Sequence, residues 1–241
     1  MDIQAVLFDL DGTLLSIDID RFMQRYFNAL SDFLAAQAHG NGLMEAVMSG
    51  TQAMLAPHPG RTNREVFHDV FSRLTGIPDN EQETLFKQFY DGPFDALRDD
   101  AGPAPGAREA YQAARRAGLK VVVATNPLFP LVAIEKRIAW AGFSPAEFDH
   151  VTCYENSTAV KPHTDYFLGI CEAVDTAPAG CLMVGDDPEL DMPAADCGMR
   201  TYLVGDGPAP GRKASDLSSG TAATDGSHGT LIGLANLLAG V

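Results

Sequence analysis

The fold of this chain is decided by a stretch near its start, QAVLFDLDGT, residues 4–13. Residues 4–10 form a short, mostly apolar run, and the Asp11-Gly12 pair that follows is typical of a turn. We therefore predict a buried β-strand over residues 4–10 that ends in this turn. Side chains two positions apart on a strand point to the same face, so we expect the carboxylates of Asp9 and Asp11 to converge where the strand ends.

Further apolar runs repeat this pattern and alternate with segments of helical periodicity. We predict strands over residues 119–125, 181–185 and 200–204, with a weaker candidate over 148–154. We predict helices over residues 107–117, 131–141, 164–174, 189–197 and 230–238. Alternating strands and helices are typical of a parallel sheet with helices on both faces. The sequence therefore predicts an α/β fold with a doubly wound, Rossmann-like parallel sheet as its core.

Residues 16–98 interrupt this alternation. Apolar residues recur there at helical spacing, and the stretch contains no convincing strand. We predict an inserted all-helical domain over residues 16–98 and an α/β core made of residues 1–15 and 99–241. Hinges are expected near residues 16–18 and 98–102. The segment 205–227, rich in Gly, Ser, Ala and Pro, is predicted to be a mobile loop.

The acidic composition limits the classes of partner. The formal net charge of −15 repels nucleic-acid phosphates and anionic membrane surfaces, so we expect no nucleic acid and no membrane as a partner. No apolar run reaches the roughly 18 residues of a membrane span, and the N-terminus has no basic leader, so we expect a cytoplasmic protein. The choice between monomer and homodimer stays open. A small phosphorylated metabolite is compatible with the charge, because a bound cation and a nearby Lys reverse its sign within one cleft.

A second group of carboxylates also follows a predicted strand. Asp186 and Asp187 come directly after residues 181–185, and Asp191 follows shortly afterwards. Ligands of open α/β sheets bind at the carboxyl ends of the strands, where this group would meet the carboxylates of the first strand. Neighbouring carboxylates repel each other unless a cation lies between them, and oxygen ligands suit Mg²⁺. The sequence therefore predicts a magnesium site at this edge of the sheet.

Groups suited to binding a phosphoryl group lie between the two acidic clusters in the sequence. Thr125 and Asn126, which end a predicted strand, offer a hydroxyl and backbone N–H groups, and Lys161 offers a positive charge. Each of these short motifs alone is more often a turn, a cap or a surface loop. Their joint occurrence in this order is what favours a functional site.

In this order the residues resemble the four motifs of the haloacid dehalogenase superfamily, and the resemblance covers nearly the whole chain. The motifs are Asp9-Leu10-Asp11-Gly12-Thr13, Thr125-Asn126, Lys161-Pro162, and Gly185-Asp186-Asp187 with Asp191. The helical insertion is similar to the C1-type cap of the family's phosphoglycolate phosphatase-like members. The resemblance implies a phosphoric monoester hydrolase of the family's phosphatase branch.

The resemblance also implies the roles of the acidic residues. Asp9 would attack phosphorus and form an aspartyl-phosphate intermediate. Asp11 would protonate the leaving oxygen and then deprotonate the attacking water. Mg²⁺ would be held by the carboxylates of Asp9 and Asp186 and by the backbone carbonyl of Asp11.

The remaining motif residues are implied to bind phosphate or to support the site. Thr125, the backbone of Asn126, and Lys161 would hold the phosphoryl oxygens. Asp187 and Asp191 would support the metal site or orient Lys161, and the sequence leaves open which of the two matters more.

Asp11 separates phosphate-ester chemistry from the family's other reactions. The family's dehalogenases and phosphonatases lack an Asp at this position, so we expect a Mg²⁺-dependent phosphohydrolase that acts on a small phosphorylated metabolite. A phosphomutase similar to β-phosphoglucomutase stays an alternative, as does a non-catalytic protein that binds a phosphorylated ligand on this scaffold. Candidate substrate anchors in the helical insertion are Arg21, Arg25, Arg61, Arg64 and Arg73.

Overall fold

A six-stranded sheet with parallel strand pairs forms the core of the protein. The computed structural model describes residues 3–37, 42–205 and 227–240, so most of the predicted mobile loop lies outside the described residues. Strands are numbered along the chain, and β2 and β3, which lie outside this sheet, are described below. The strands of the sheet are β1 (Ala5–Phe8), β4 (Lys120–Val123), β5 (His150–Val151), β6 (Cys181–Gly185), β7 (Arg200–Val204) and β8 (Ser227–Gly229). They lie in the order β5-β4-β1-β6-β7-β8.

Helices cover both faces of this sheet. They are α5 (Ala107–Arg116), α6 (Leu131–Trp140), α7 (Thr164–Ala173) and α8 (Leu231–Leu238). Strand β1 is fully buried and points its side chains alternately to the two faces. Val6 and Phe8 pack into the apolar cluster that contains residues of α5, α6 and α8, whereas Ala5 and Leu7 pack into the cluster that contains α7. The doubly wound α/β fold predicted from the sequence is confirmed.

One predicted helix of the core is wrong. Residues 189–197 do not form an α-helix, and Met192–Cys197 form a short 3-10 helix instead. The side chain of Asp187 accepts a hydrogen bond from the backbone N–H of Leu190 at 3.1 Å and holds the preceding residues in a turn. Pro193 then removes a backbone donor near the start of the helix. Local side-chain bonding has therefore replaced the predicted helical turn.

The described residues of the helical segment, which follows β1 in the sequence, form four α-helices and one 3-10 helix. Its elements are α1 (Ile19–Ala35), α2 (Leu43–Met54), α3 (Asn63–Thr75), α4 (Asp79–Tyr90) and the 3-10 helix Pro93–Asp100. The described residues between Ile19 and Arg98 form helices and their connections, as predicted, whereas Leu15–Ile17 at the start of the predicted insertion form a strand. Within the described part of the chain, no helix combines the length and the apolar character that crossing a membrane requires.

Two short strands connect the helical segment to the core. Strands β2 (Leu15–Ile17) and β3 (Ala101–Pro103) pair with each other in antiparallel orientation, close to the two positions predicted as hinges. The backbone N–H of Gly12 donates to the carbonyl of Leu15 at 2.8 Å, which ties this pair to the turn after β1. Neither strand is predicted from the sequence, because three residues show too little alternation to be recognised.

The helical segment packs over the carboxyl end of the sheet. The ring of Phe94 stacks on Trp140 of α6 with the centroids 5.3 Å apart, and the ring of Tyr26 meets Phe129 at 5.2 Å. Aromatic pairs at such distances add to the free energy gained from burial alone. Because Phe129 lies in the loop after β4, the contact with Tyr26 places this part of the helical segment above the strand ends, and the contact with Trp140 packs the segment along α6.

Candidate active site

Strand pairing brings the predicted acidic residues to one edge of the sheet. Asp9 follows β1 directly, and Phe8 of β1 lies opposite Val184 of the neighbouring β6. The backbone N–H of Asp9 donates to the carbonyl of Val184 at 2.8 Å, which continues the pairing by one residue. Since β4 pairs with the other edge of β1, Thr125 and Asp186 lie in the loops on either side of Asp9.

A buried lysine joins two carboxylates of this edge. Nζ of Lys161 donates to Oδ1 of Asp9 at 2.6 Å and to Oδ1 of Asp191 at 2.5 Å, and the Lys161 side chain is 1% exposed. Burial alone would lower the pKa of Lys161, but the carboxylates of Asp9 and Asp191 raise it. The ammonium group is therefore held in its charged form between two acidic side chains.

Carboxylate oxygens cluster around the same point. Those of Asp9, Asp186 and Asp191 lie within 4.8 Å of one another. Burial raises the pKa of Asp9, and the ammonium of Lys161 opposes that rise. Desolvation also raises the pKa of Asp186, against a hydrogen bond from the Thr13 hydroxyl at 3.1 Å. A divalent cation with oxygen ligands would favour the ionised carboxylates, so this donor set fits Mg²⁺.

Two glycines allow the carboxylates to approach their neighbours so closely. Gly12 has a φ of +85°, and a Cβ on it would lie 2.2 Å from Oδ2 of Asp186. A Cβ on Gly185 would lie 2.0 Å from Oδ2 of Asp191. Any side chain at either position would displace a carboxylate of the cluster, so both positions require glycine.

The loop after β4 is fixed beside the lysine. The carbonyl of Thr125 accepts hydrogen bonds from the hydroxyls of Thr152 at 2.7 Å and Tyr166 at 2.8 Å. Oδ1 of Asn126 accepts a hydrogen bond from the backbone N–H of Lys161 at 3.3 Å. Thr125 and Asn126 therefore lie next to the residue that carries the ammonium group, as a shared phosphate site would require.

Asp187 and Asp191 make different contacts. Oδ1 of the buried Asp191 binds Lys161, and its Oδ2 accepts a hydrogen bond from the backbone N–H of Asp187 at 3.1 Å. The side chain of Asp187 instead binds the following turn, where its Oδ1 accepts from the backbone N–H of Glu189 at 2.7 Å. Of these two predicted site residues, the structure brings Asp191 into the carboxylate cluster and directs the side chain of Asp187 to the turn.

Asp11 takes part in an ion pair that the sequence analysis did not predict. Its Oδ2 accepts a hydrogen bond from Nη1 of Arg137, a residue of α6, at 2.5 Å. The Arg137 side chain is 2% exposed, and its guanidinium carbon lies 4.6 Å from the centroid of the Phe129 ring. Asp11 is therefore held by a buried cation of its own, separate from Lys161.

Three arginines predicted as candidate substrate anchors bind groups of the helical segment itself. Arg64 pairs with Asp79 at 2.9 Å, and Arg61 and Arg73 pair with Asp69 at 3.6 Å and 3.3 Å. Exposed pairs of this kind contribute roughly 0–1 kcal/mol to stability. Their contacts lie within the helical segment, in contrast to the contact of Arg137 with Asp11.

The model of one protein family covers the whole of this site. The model for haloacid dehalogenase-like hydrolases matches residues 3–197, a span that includes the acidic cluster, Lys161 and Arg137. The chain belongs to the haloacid dehalogenase-like hydrolases. The family resemblance drawn from the four motifs is thereby confirmed, and so is the prediction that the chain is an enzyme.

Relatives of this hydrolase include two phosphate-releasing enzymes by name. Over 204 residues it is 24% identical to pyrophosphatase PpaX of Bacillus mycoides, covering 85% of this chain and 84% of the relative. Over 211 residues it is 28% identical to the N-acetylmuramic acid 6-phosphate phosphatase of Pseudomonas aeruginosa, covering 85% and 82%. The crystal structure of a HAD phosphatase from Thermococcus onnurineus aligns over 99% of both chains, with a TM-score of 0.55 and 22% identity, a likeness that shows the shared fold.

The pattern of α6 contains the signal that would have found Arg137 in this hydrolase. Ala133, Ile134 and Ile138 of the same helix are fully buried, and Arg137 lies four positions after Ala133 on their face. A charge within the buried stripe of a helix needs a partner of opposite charge. The pattern predicts an ion pair, but it does not identify Asp11 as the partner, because the two residues meet through the tertiary fold.

We expect Asp191→Asn to destabilise this hydrolase far more than the matched change Asp187→Asn. The first removes a charged hydrogen-bond partner from the buried ammonium of Lys161, which costs about 1.5–3 kcal/mol. The second leaves an amide oxygen that still accepts from the turn, so its effect should stay within about 0.5 kcal/mol. Urea unfolding of the two variants measures the difference, and equal losses would contradict the division of roles between the two residues.

Proposed function

We propose that this hydrolase is a Mg²⁺-dependent phosphatase that acts on a small phosphorylated metabolite through an aspartyl-phosphate intermediate. One observation carries the proposal: the Asp9 carboxylate is bound by the buried Lys161 and lies within 4.8 Å of two further carboxylates at the strand ends. A carboxylate nucleophile beside a cation site and a fixed ammonium group suits transfer of a phosphoryl group. The activities named for the two relatives support the same conclusion.

Mg²⁺ would be held by the side chains of Asp9 and Asp186 and by the backbone carbonyl of Asp11. When bound, the cation would supply positive charge for the phosphoryl oxygens and for the attacking carboxylate. Asp191 would act on this site through Lys161, which it binds at 2.5 Å. Asp187 would act through the turn after β6, whose backbone its side chain holds.

Two carboxylates of the chain would carry the chemical steps. Asp9 attacks phosphorus as the ester P–O bond breaks, and Asp11 gives its proton to the leaving oxygen. Asp11 then takes a proton from the water that attacks the aspartyl-phosphate, which restores Asp9 and releases inorganic phosphate. Throughout, Lys161, the hydroxyl of Thr125 and the backbone N–H of Asn126 would hold the phosphoryl oxygens in place.

The helical segment would act as a cap that limits the size of the substrate. We propose the domain boundaries expected from the sequence, with a cap of residues 16–98 and a core of residues 1–15 and 99–241. A cavity of about 30 Å³ lies between the helical segment and the core, lined by residues that include Tyr26, Tyr90 and Leu128. The position of Tyr26 and Tyr90 beside Leu128, in the loop after β4, supports this placement of the cap.

Metal removal tests the proposed function most directly. We expect the purified protein to release phosphate from members of a panel of phosphate monoesters in Mg²⁺ and to lose this activity in EDTA. Mg²⁺ should also raise the Tm, because a ligand at 100 times its Kd stabilises the folded state by about 2.7 kcal/mol. Asp186→Asn should remove both effects, whereas Asp32→Asn, an exposed Asp on α1, should keep both.

Each other outcome of this experiment contradicts a different part of the proposal. Turnover that persists in EDTA and in Asp186→Asn would contradict the metal requirement. Conversion of a sugar phosphate into its isomer without phosphate release would identify a phosphomutase. Binding of the esters without any product would identify a binding protein on this scaffold.

A further inference from the structure

The buried ion pair of Arg137 and Asp11 contains polar atoms without a partner. Nη1 of Arg137 binds Oδ2 of Asp11. Among the residues that the structure describes, Nε and Nη2 of Arg137 and Oδ1 of Asp11 have no hydrogen-bond partner, and all three atoms are buried. Burying a charged donor without an acceptor is strongly unfavourable, so the arrangement is incomplete as a purely structural ion pair.

The missing partner must be an acceptor. A guanidinium group carries five N–H donors and no acceptor, and Asp11 occupies only part of this set. One neighbour of the guanidinium is the ring of Phe129, at 4.6 Å, which provides no oxygen. Tyr26 and Tyr90 lie within electrostatic reach of Arg137, and their hydroxyls bind each other at 3.1 Å. These neighbours therefore leave Nε and Nη2 of Arg137 without an acceptor, which the oxygens of a bound ligand would supply.

The place of Arg137 indicates which part of a ligand it would bind. In the proposed mechanism the phosphoryl group is held at Asp9 by Lys161, and Asp11 protonates the leaving oxygen. Arg137 binds the same carboxylate group of Asp11, so its remaining donors lie beside the leaving alcohol and not beside the phosphoryl group. An acceptor that reaches these donors belongs to the first few atoms of the leaving group.

We propose that Arg137 anchors an oxyanion on the leaving group, so that the hydrolase selects phosphate monoesters with a carboxylate or a second phosphate close to the ester oxygen. This inference rests on the proposed function, because it needs a phosphate ester bound at Asp9. Parallel N–H donors of a guanidinium match the two oxygens of a carboxylate or phosphate. The contact is buried, which strengthens it.

A matched pair of esters tests the anchor by binding alone. Phosphoglycolate and isobutyl phosphate have the same branched shape. Where phosphoglycolate has its carboxylate, isobutyl phosphate has a carbon that carries two methyl groups. Calorimetry with the Asp9→Asn variant in Mg²⁺ measures their affinities without turnover. We expect phosphoglycolate to bind about 10–100-fold more tightly, the range for a hydrogen bond to a charged group. Ethanediol bisphosphate, which carries a phosphate ester of a CH2 group where phosphoglycolate carries its carboxylate, shows whether a second phosphate is preferred to a carboxylate.

Variants of Arg137 separate an anchor from a structural residue. In the Asp9→Asn background, Arg137→Gln should reduce the preference for phosphoglycolate to below about 3-fold, and Arg137→Lys should keep part of it. A residue that merely supports the fold would weaken binding of both esters equally. If the Gln variant does not fold, as judged by circular dichroism, the Lys variant decides, because full preference with Lys would overturn the bidentate anchor.

Failure of this inference and failure of the proposed function give different results. Equal affinity of the Asp9→Asn protein for phosphoglycolate and isobutyl phosphate would overturn the anchor, whatever the unsubstituted enzyme hydrolyses. Tight, Arg137-dependent binding of an oxyanion ester that the unsubstituted enzyme never hydrolyses would support the anchor and contradict the phosphatase.

Discussion

Replacing Asp9 by Asn is expected to abolish phosphate release while the protein stays folded. Asn is isosteric with Asp, but its amide does not act as a nucleophile toward phosphorus. Removing a residue that forms the covalent intermediate lowers kcat by on the order of 10⁴-fold or more. The ammonium of Lys161 keeps the carboxylate of Asp191 as a partner at 2.5 Å, so the fold should survive the loss of one charge.

The Asp9 experiment needs a measurement of folding beside that of activity. Phosphate release should be followed at saturating Mg²⁺ for the unsubstituted enzyme, for Asp9→Asn and for the exposed control Asp32→Asn. The control should keep full activity, and all three proteins should show the same circular dichroism spectrum. Activity of Asp9→Asn above a few per cent, once deamidation back to Asp has been excluded by mass spectrometry, would refute Asp9 as the nucleophile.

Lys161→Met is expected to have the largest effect on stability. The substitution leaves the carboxylates of Asp9 and Asp191 buried together without their shared cation. Breaking a buried ion pair by removing one partner costs about 3–5 kcal/mol. The matched control is Lys87→Met, because Lys87 makes an exposed pair with Asp91 and its loss should change stability by less than about 1 kcal/mol.

The pH dependence of the Lys161→Met variant gives a second test. Burial already raises the pKa of Asp9, and the ammonium of Lys161 opposes that rise. Removing Lys161 should therefore raise the pKa of Asp9 further. Above the pKa of an ordinary Asp, the unfolded chain has released this proton while the folded variant still binds it. The stability of the variant therefore falls as the pH rises through this range. Urea unfolding should show a larger deficit relative to the unsubstituted enzyme at alkaline than at mildly acidic pH. A deficit that does not change with pH would argue that lost packing, and not unpaired charge, causes the destabilisation.

The sequence predicts those parts of this molecule that depend on local patterns. The strand over residues 181–185 has the predicted bounds, because an apolar run flanked by turn residues specifies it by itself. Asp9 and Asp186 follow their strands directly, so the parallel sheet is enough to place them at one edge. The predicted helix over residues 189–197 failed, because Asp187 and Pro193 compete with helix formation at its start.

Contacts between distant segments are beyond what local patterns predict. Lys161 lies 152 positions from Asp9 and 30 from Asp191, and no spacing rule shows that its ammonium lies between both. For the same reason the sequence left open the choice between Asp187 and Asp191, which the loop geometry separates. The ion pair between Asp11 and Arg137 joins residues 126 positions apart, and only the tertiary fold brings them together.

The aromatic contacts between the helical segment and the core have a consequence for the temperature dependence of substrate capture. Moving the segment away from the strand ends would separate Phe94 from Trp140 and Tyr26 from Phe129, and would expose their rings to water. Exposing apolar surface raises the heat capacity, so the free energy of such an opening is curved in temperature. Hydrophobic contacts also weaken on cooling. The open form would therefore be least populated at an intermediate temperature. An Arrhenius plot of kcat/KM would then be curved, even where the rate constant of the chemical step alone gives a straight line.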